Sequence, residues 1–450
     1  MPAGSDAGPG RAVRRVGTTA VVLLTRDLRV HDNPALVAAC ATHERVLPLF
    51  VLDDRIVAGA RSSLLADALG ALRTGLRARG GDLVVRRGDP VACAVALARD
   101  HAADTVVCGR DVTAFAARRE RRLAVACGSD RMALRLVDAV GVVAPGALRP
   151  ASGDHYKVFT PYFRAWSGAR WRTVLDPPAA VRLPEGVEVG ALPPGGDGPG
   201  RPHPFGGGEP AARRRMARFL GDGLGAYLGA QTDLAADATS RLSADLHLGC
   251  LSALELATAA RDAEAGGDAG AGGATAASGV TAASGMTAAS ESAVAFARSL
   301  CWRDFFDQVL AARPSVAVED YRPRRQPWRD DPGALAAWRE GRTGVALVDA
   351  GMRQLASEGY LHNRVRLLVA SYLTKQLGVH WREGADHFER LLVDADVANN
   401  RMNWQWAAGT GNDPRPNRML SPERQAAKLD PTGAYVRRHL GDRPRPGRLW

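Results

Sequence analysis

The residue types best suited to chemistry crowd into one short stretch, Asp394-Ala-Asp-Val-Ala-Asn-Asn-Arg-Met-Asn-Trp-Gln-Trp406. It carries carboxylates, carboxamides, a guanidinium and two indoles. A core has no use for that inventory, because buried polar groups cost free energy unless each finds a partner. Indoles beside amides and charges suit a pocket for a large, flat, polar-edged molecule. On a helix the step from Trp404 to Trp406 is roughly 200°, so one ring can face a bound group while the other lines an opening. For a single tryptophan a half-buried structural ring is the better reading; for the whole cluster a ligand pocket is.

Other constellations fit the same pocket. Thr239-Ser-Arg-Leu-Ser243 precedes the apolar run Ala244–Leu256, and hydroxyls with an arginine at a helix start favour phosphate; a plain Ser/Thr cap is the alternative. Upstream, Tyr227 offers an aromatic to the same ligand. Leu300-Cys-Trp-Arg-Asp-Phe-Phe306 sets Trp302 beside Arg303, an indole able to stack on a base and a guanidinium able to hold a phosphate. In His362-Asn-Arg-Val-Arg366, Asn363 and Arg366 share one helix face, and Arg366 is a natural partner for Asp394.

The elements that must position these groups fall into two kinds. From Thr19 to about Pro145, short apolar runs (Val21–Leu24, Val46–Leu52, Leu83–Val85, Thr105–Cys108, Leu134–Val137) alternate with amphipathic segments (34–42, 63–79, 90–101, 114–126). That alternation predicts an α/β, doubly wound parallel sheet over 19–145. The Gly-rich dinucleotide fingerprint is missing after the first strand, which runs into Thr25-Arg-Asp-Leu-Arg29, so an NAD site is not supported. Residues 146–210 read as a connector wrapped over the surface, with the aromatic Tyr156–Trp166 docked on one domain. From 211 to 440 helical periodicity dominates, as in Tyr360–Gln376, where Leu361, Val365, Leu368, Val369, Tyr372 and Leu373 trace one face. This predicts an all-α second domain. Residues 1–18, the low-complexity stretch 262–291 and the tail 441–450 are expected to be disordered or without a core.

Composition narrows the partners. The 450 residues carry a formal net charge of +11, with 59 Lys plus Arg against 48 Asp plus Glu. This fits a polyanion such as nucleic acid, although drift toward Arg, Ala and Gly explains the charge equally well. The six cysteines have no metal-ligand or CxxC spacing and read as buried reduced thiols of a cytoplasmic protein. No apolar run approaches a membrane span.

Taken together, the motifs Arg26-Asp-Leu-Arg-Val-His-Asp-Asn-Pro34, Thr239–Ser243, Trp302-Arg-Asp-Phe305, Met352-Arg-Gln354, His362-Asn-Arg364, Trp381-Arg-Glu-Gly384 and Asp394–Thr410 occur in the order of the DNA photolyase/cryptochrome family. The chain resembles that family from about Thr19 to about Arg438, most closely its class I cyclobutane pyrimidine dimer enzymes. The resemblance implies an antenna-binding α/β domain and a helical domain holding FAD in a bent form. Tyr227, Thr239, Ser240, Arg241, Leu242, Ser243, Arg303, Arg366, Asp394, Ala395, Asp396 and Asn400 would bind FAD, with Asn400 facing flavin N5. Trp404, Trp381 and Trp328 would relay electrons from the surface. Trp302 and Trp406 would wall the lesion pocket, with Asn363, Arg364, Leu367, Ser299 and Gln425 as further contacts to UV-damaged DNA.

Two positions depart from the family pattern. Ser299 stands where dimer-repairing members carry Glu, and Leu367 where Met is common. Asn363 and Leu367 replace the histidines of (6-4) enzymes, which favours cyclobutane dimers. Light-driven carbon–carbon lyase chemistry on a monomer is the implied function, with a blue-light cryptochrome receptor as the alternative. The antenna is a deazaflavin or a methenyltetrahydrofolate, with Arg110–Arg119 beside its site.

Overall fold

A computed structural model describes residues 15–54, 61–194, 206–271, 287–324, 327–412 and 415–441. Strands β1 (Arg15–Leu24), β2 (His43–Leu52), β3 (Val84–Arg87), β4 (Thr105–Gly109) and β5 (Ala133–Val137) pair in the order β3-β2-β1-β4-β5, every pair parallel. Helices α1 (Pro34–Thr42), α2 (Arg61–Arg77), α3 (Pro90–Asp100) and α4 (Ala114–Ser129) carry the chain between them. The side chains of Asn33, Asp89 and Thr113 cap α1, α3 and α4, and proline opens α1 and α3, the residue choice that free N–H groups and a fixed φ favour.

Side chains alternate across the sheet. Ala20, Val22 and Leu24 of β1 enter a core shared with the helical half, whereas Val21 and Leu23 face α3 and α4. Burial of both faces explains the uninterrupted apolar runs.

Beyond the sheet the chain is helical: α5 (Phe159–Gly168), α6 (Glu209–Arg218), α7 (Tyr227–Ala230), α8 (Ser243–Leu248), α9 (Ala253–Ala271), α10 (Ala288–Ala312), α11 (Pro332–Arg339), α12 (Ala346–Glu358), α13 (Asn363–Ser371), α14 (Trp381–Leu391), α15 (Val397–Ala408), α16 (Pro422–Leu429) and α17 (Ala434–Leu440). α10 is the central post, packing on α9, α15 and α5. A second core, around Trp338, Trp381 and Trp404, joins α11–α17.

Several expectations need correction. Arg15–Thr18 belong to β1, so disorder over 1–18 does not hold there, and residues 1–14 lie outside the described residues. α9 continues through 262–271, and α10 begins at Ala288 with Thr287 as its cap. The low-complexity stretch is therefore helical at both ends, because alanine is the strongest helix former; 272–286 lie outside the described residues, as do 442–450 of the tail. α13 starts at Asn363 rather than Tyr360, since His362 Nδ1 accepts the Arg364 N–H at 3.2 Å and caps it. Cys40 and Cys93 are only half-buried, while the other cysteines are buried.

The aromatic stretch of the connector is α5. Phe159, Tyr162 and Trp166 are buried in the shared core. Trp166 Nε1 donates to Asp304 Oδ2 at 2.8 Å, and Asp304 also accepts from the backbone N–H of Val142 and Val143. One carboxylate of α10 thus ties the end of the sheet and the connector to the helical half. Further on, Val46 and Val85 donate to the carbonyls of Arg182 and Val189, so the connector also runs along the sheet.

Strand order reverses between β1 and β4, where open α/β sheets bind ligands. Here Arg26, just past β1, pairs with Asp111 past β4 at 3.1 Å and with Asp396 at the start of α15. Gly249, with φ +71° at the end of α8, lets that helix reach the same loop; a Cβ there would collide with the Arg26 backbone.

Candidate active site

α8, α10, α13 and the start of α15 enclose a cavity of about 640 Å³, within the range of sites for cofactor-sized ligands. A recess of about 70 Å³ shares Arg366, Asp394 and Asp396 with it and ends at Asn400 and Trp404.

The floor is charged and paired. Arg366 Nη2 donates to Asp394 Oδ2 at 2.8 Å, the pair expected from their opposite charges, and its Nε donates to Leu361 O at 2.8 Å. Asp396 caps α15 by accepting the Asn399 N–H at 2.9 Å and meets Arg26 from the sheet side. Arg303 reaches from α10 to the Leu246 carbonyl at 2.9 Å. Burial works to raise both carboxyls. Arg366 beside Asp394, and Arg26 with Arg303 beside Asp396, outweigh it and hold both below the usual carboxylate range. Burial, reinforced by Arg26 near His247 and by Arg364 and Arg366 near His362, lowers those imidazoles to about 4, so both are neutral at pH 7. His247 Nδ1 is buried without a hydrogen-bond partner.

Asn400 donates through Nδ2 to Ala385 O at 2.9 Å and to Glu389 Oε1 at 3.2 Å. The atom it has left to offer the recess is Oδ1, an acceptor. Arg241 has a positive φ of 50°, pairs with Asp237 and lies 4.5 Å over the Tyr360 ring. Its guanidinium is thus braced against protein, while Thr239, Ser240, Leu242 and Ser243 line the cavity wall with it.

The mouth is different. Ser299, Asn363 and Arg364 are exposed, and Trp302, Leu367 and Trp406 are half-buried. Trp302 is stacked on Phe159 of α5, with centroids 3.7 Å apart and planes 4° from parallel, so the connector supports this wall. Ser299 Oγ is 3.0 Å from the Tyr227 hydroxyl. Arg298 lies over Phe159 and Phe163, and Arg418 near Trp406.

Trp404 is buried at the inner end of the recess, and its ring neighbours are Trp338 and Phe388. A Cβ at Gly384 would overlap the Trp404 ring, so that glycine lets α14 approach, and Trp381 sits one turn earlier on the same helix. Trp381 and Trp328 flank His380, at 5.7 and 4.8 Å between centroids.

Of the residues singled out in the sequence, all but Trp381, Trp328 and Gln425 line the cavity or its recess. Gln425, on α16, which packs on α12, is not among the residues that line the cavity or its recess. Sequence reasoning missed His247, Arg298 and Arg418 of the wall, and gave Asn399 and Asn403 no role beyond their membership of the Asp394–Trp406 cluster. It also missed Arg26 as a partner of Asp396, although the charged run replacing a Gly-rich loop after β1 was the available signal.

The sequence matches the family described as DNA photolyase over residues 20–182 and the FAD binding domain of DNA photolyase over residues 296–443. It is 46% identical to the deoxyribodipyrimidine photo-lyase of Streptomyces griseus, over 93% of this chain and 89% of that protein. It is 36% identical to the one from Halobacterium salinarum, over 91% and 86%. A cryptochrome DASH of Natronomonas pharaonis is 34% identical over 93% and 91%. Among solved structures, a bacterial class III photolyase from Agrobacterium tumefaciens superposes with a TM-score of 0.82 at 30% identity, covering 96% of this chain and 88% of that one. A Synechocystis cryptochrome gives 0.82 at 28% identity, over 95% and 89%. The paired floor, the aromatic mouth and these likenesses converge: the chain belongs to the DNA photolyase/cryptochrome family and carries its FAD-binding domain.

Proposed function

We propose that the protein repairs cyclobutane pyrimidine dimers in UV-damaged DNA by light-driven electron donation from reduced FAD, as a carbon–carbon lyase. The observation that carries this reading is one continuous space with a charged, paired floor and an open aromatic mouth. A dinucleotide with an anionic middle fits the floor, where Arg303 and Arg366 supply positive charge, Thr239–Ser243 supply hydroxyls, and the partnerless His247 Nδ1 offers one more polar contact. Bound reduced FAD would supply the excited electron. Asn400 would present an acceptor Oδ1 to an N–H at the flavin edge, and Arg366 would compensate negative charge on the ring.

At the mouth, the lesion must leave the duplex stack, as the handling of bases by photolyases in general requires. Trp302, held flat by Phe159, and Trp406 would stack on the flipped pyrimidines. Asn363 would meet their carbonyls, and Arg364, Arg298 and Arg418 the kinked backbone. Trp404, Trp381 and Trp328 would return the cofactor to its reduced state. We also assign a second, light-harvesting chromophore to the α/β half, near Arg119, whose buried Nε has no hydrogen-bond partner. A Sulfolobus tokodaii photolyase, 26% identical, was solved with two FAD molecules, which adds a flavin to the deazaflavin and folate expected from sequence. The protein is taken to act as a monomer in the cytoplasm.

Ser299 favours a second reading. It is engaged with Tyr227 and supplies no carboxyl to the substrate, as a receptor-type cryptochrome would tolerate. Dimer-containing oligonucleotide under near-ultraviolet or blue light tests both. Loss of dimers with pre-reduced protein, and none in the dark, supports the lyase. Flavin photochemistry without dimer loss selects the receptor.

A further inference from the structure

Trp381 and Trp328 sit in opposite electrostatic surroundings. Trp381 is fully buried, and its Nε1–H donates to Asp320 Oδ1 at 2.7 Å. Trp328 is half-buried, with the Arg324 guanidinium 4.1 Å from its ring centre. His380 lies between the rings; burial and Arg382 lower its imidazole, so it adds no positive charge at pH 7. Asp320 is held in place. Gln405, adjacent to Trp404 and fully buried, donates to Val316 O and Glu319 O at 2.7 and 2.9 Å and accepts the Tyr321 N–H at 2.7 Å. The helix that carries Trp404 therefore also fixes the segment that presents Asp320 to Trp381.

We propose that Asp320 is the proton acceptor for oxidised Trp381, which makes Trp381, and not the outer Trp328, the resting place of the electron vacancy. This rests on the relay reading given above. The oxidant is light-excited oxidised flavin. One electron leaves the indoles toward it, and the vacancy passes from Trp404 to Trp381. The Trp381 Nε1–H bond then breaks, the proton moves to Asp320 Oδ1, and a neutral indolyl radical faces a neutral carboxylic acid. When an electron returns, from the flavin or from a thiol reductant, the proton goes back to Nε1.

Two effects set the direction. A carboxylate hydrogen-bonded to an indole N–H stabilises the positive charge created by oxidation and offers the proton a destination. A guanidinium over a ring favours the electron-rich, unoxidised indole, so Arg324 opposes oxidation of Trp328.

Flash spectroscopy on oxidised holoprotein reads the radical directly. The native protein is expected to show the neutral indolyl band, with a new carboxylic acid C=O band in the light-minus-dark infrared spectrum. Asp320→Asn keeps the shape and a hydrogen-bond acceptor but takes no proton. It should lose the acid band, show the radical cation, and shorten the charge-separated lifetime roughly tenfold, the difference between a charge-assisted and a neutral hydrogen bond. Trp328→Phe should keep the neutral-radical signal. Equal flavin content and circular dichroism in all variants establish that they fold. If Asp320→Asn matches the native protein, or Trp328→Phe abolishes the long-lived radical, the proposal is overturned while the relay stands. If the native protein forms no indole radical, the relay falls and takes the proposal with it.

Discussion

The floor and the mouth of the cavity are built from similar residue types under opposite rules. Asp394, Asp396 and Arg303 are buried, Arg366 and Arg26 are half-buried, and each floor charge has an opposite charge or a carbonyl against it. Ser299, Asn363, Arg364 and Arg418 at the mouth stay in contact with solvent, and Trp302 and Trp406 are only half-covered. A buried charge must be compensated or it costs several kcal/mol; an exposed one is free to wait for a partner. The contrast teaches that the floor is part of the fold, whereas the mouth is a surface held ready for a polyanion.

The sharpest way to break this comparison is Asp394→Ala, which leaves the half-buried Arg366 without its carboxylate. It should destabilise the protein by about 3–5 kcal/mol and abolish flavin retention, measured by denaturant unfolding and flavin absorbance. A variant that unfolds like the native protein would show that the floor is not structural.

Acid titrates the same floor. His247 and His362 are lowered from 6.5 to about 4, so the folded chain binds fewer protons than the unfolded chain between these values. Stability is full above pH 6.5 and falls as pH drops toward 4, by up to roughly 3 kcal/mol per histidine at one pKa unit per 1.36 kcal/mol. His362→Gln should flatten the pH dependence of the unfolding midpoint over that window; an unchanged slope would remove His362 from it.

At the mouth, Trp302→Ala and Asn363→Ala should leave flavin content intact and weaken binding to dimer-containing DNA, by about 1–3 kcal/mol for the lost stacking of Trp302. Normal affinity in both would refute the mouth assignment. Trp381→Phe should slow photoreduction yet leave repair by pre-reduced protein unchanged, which light-driven turnover with and without chemical reduction separates. The smallest effect is expected from Gln425→Ala, whose DNA affinity should equal the native value.

Much of this arrangement could be read before the structure, and the reasons for the rest are physical. Val21–Leu24 and Thr105–Cys108 announced strands because parallel strands buried on both faces carry unbroken apolar runs. Arg366 and Asp394 were paired in advance from their opposite charges in two neighbouring motifs, 28 residues apart. Arg26 and Asp396 are 370 residues apart, and no local pattern announces such a pair. Phe159 on Trp302 is equally hidden, since an aromatic in a Pro-rich connector does not say which ring it will cover. The helical ends of the low-complexity stretch were missed for another reason: its repeats and small residues were weighed above the helix propensity of alanine. Gln425 was placed by motif alone, and it is not among the residues lining the cavity.

The ion pair from Arg26 to Asp396 limits how this molecule can be divided. An isolated helical fragment would leave the α15 cap without its closest guanidinium, with only Asn399 and the more distant Arg303 to compensate it, beside an unfilled gap. Swapping the α/β half for that of a distant relative will succeed only where the incoming loop brings an arginine to the same spot. Fragment expression and chimaera design should therefore treat the loop after the first strand as property of the second half.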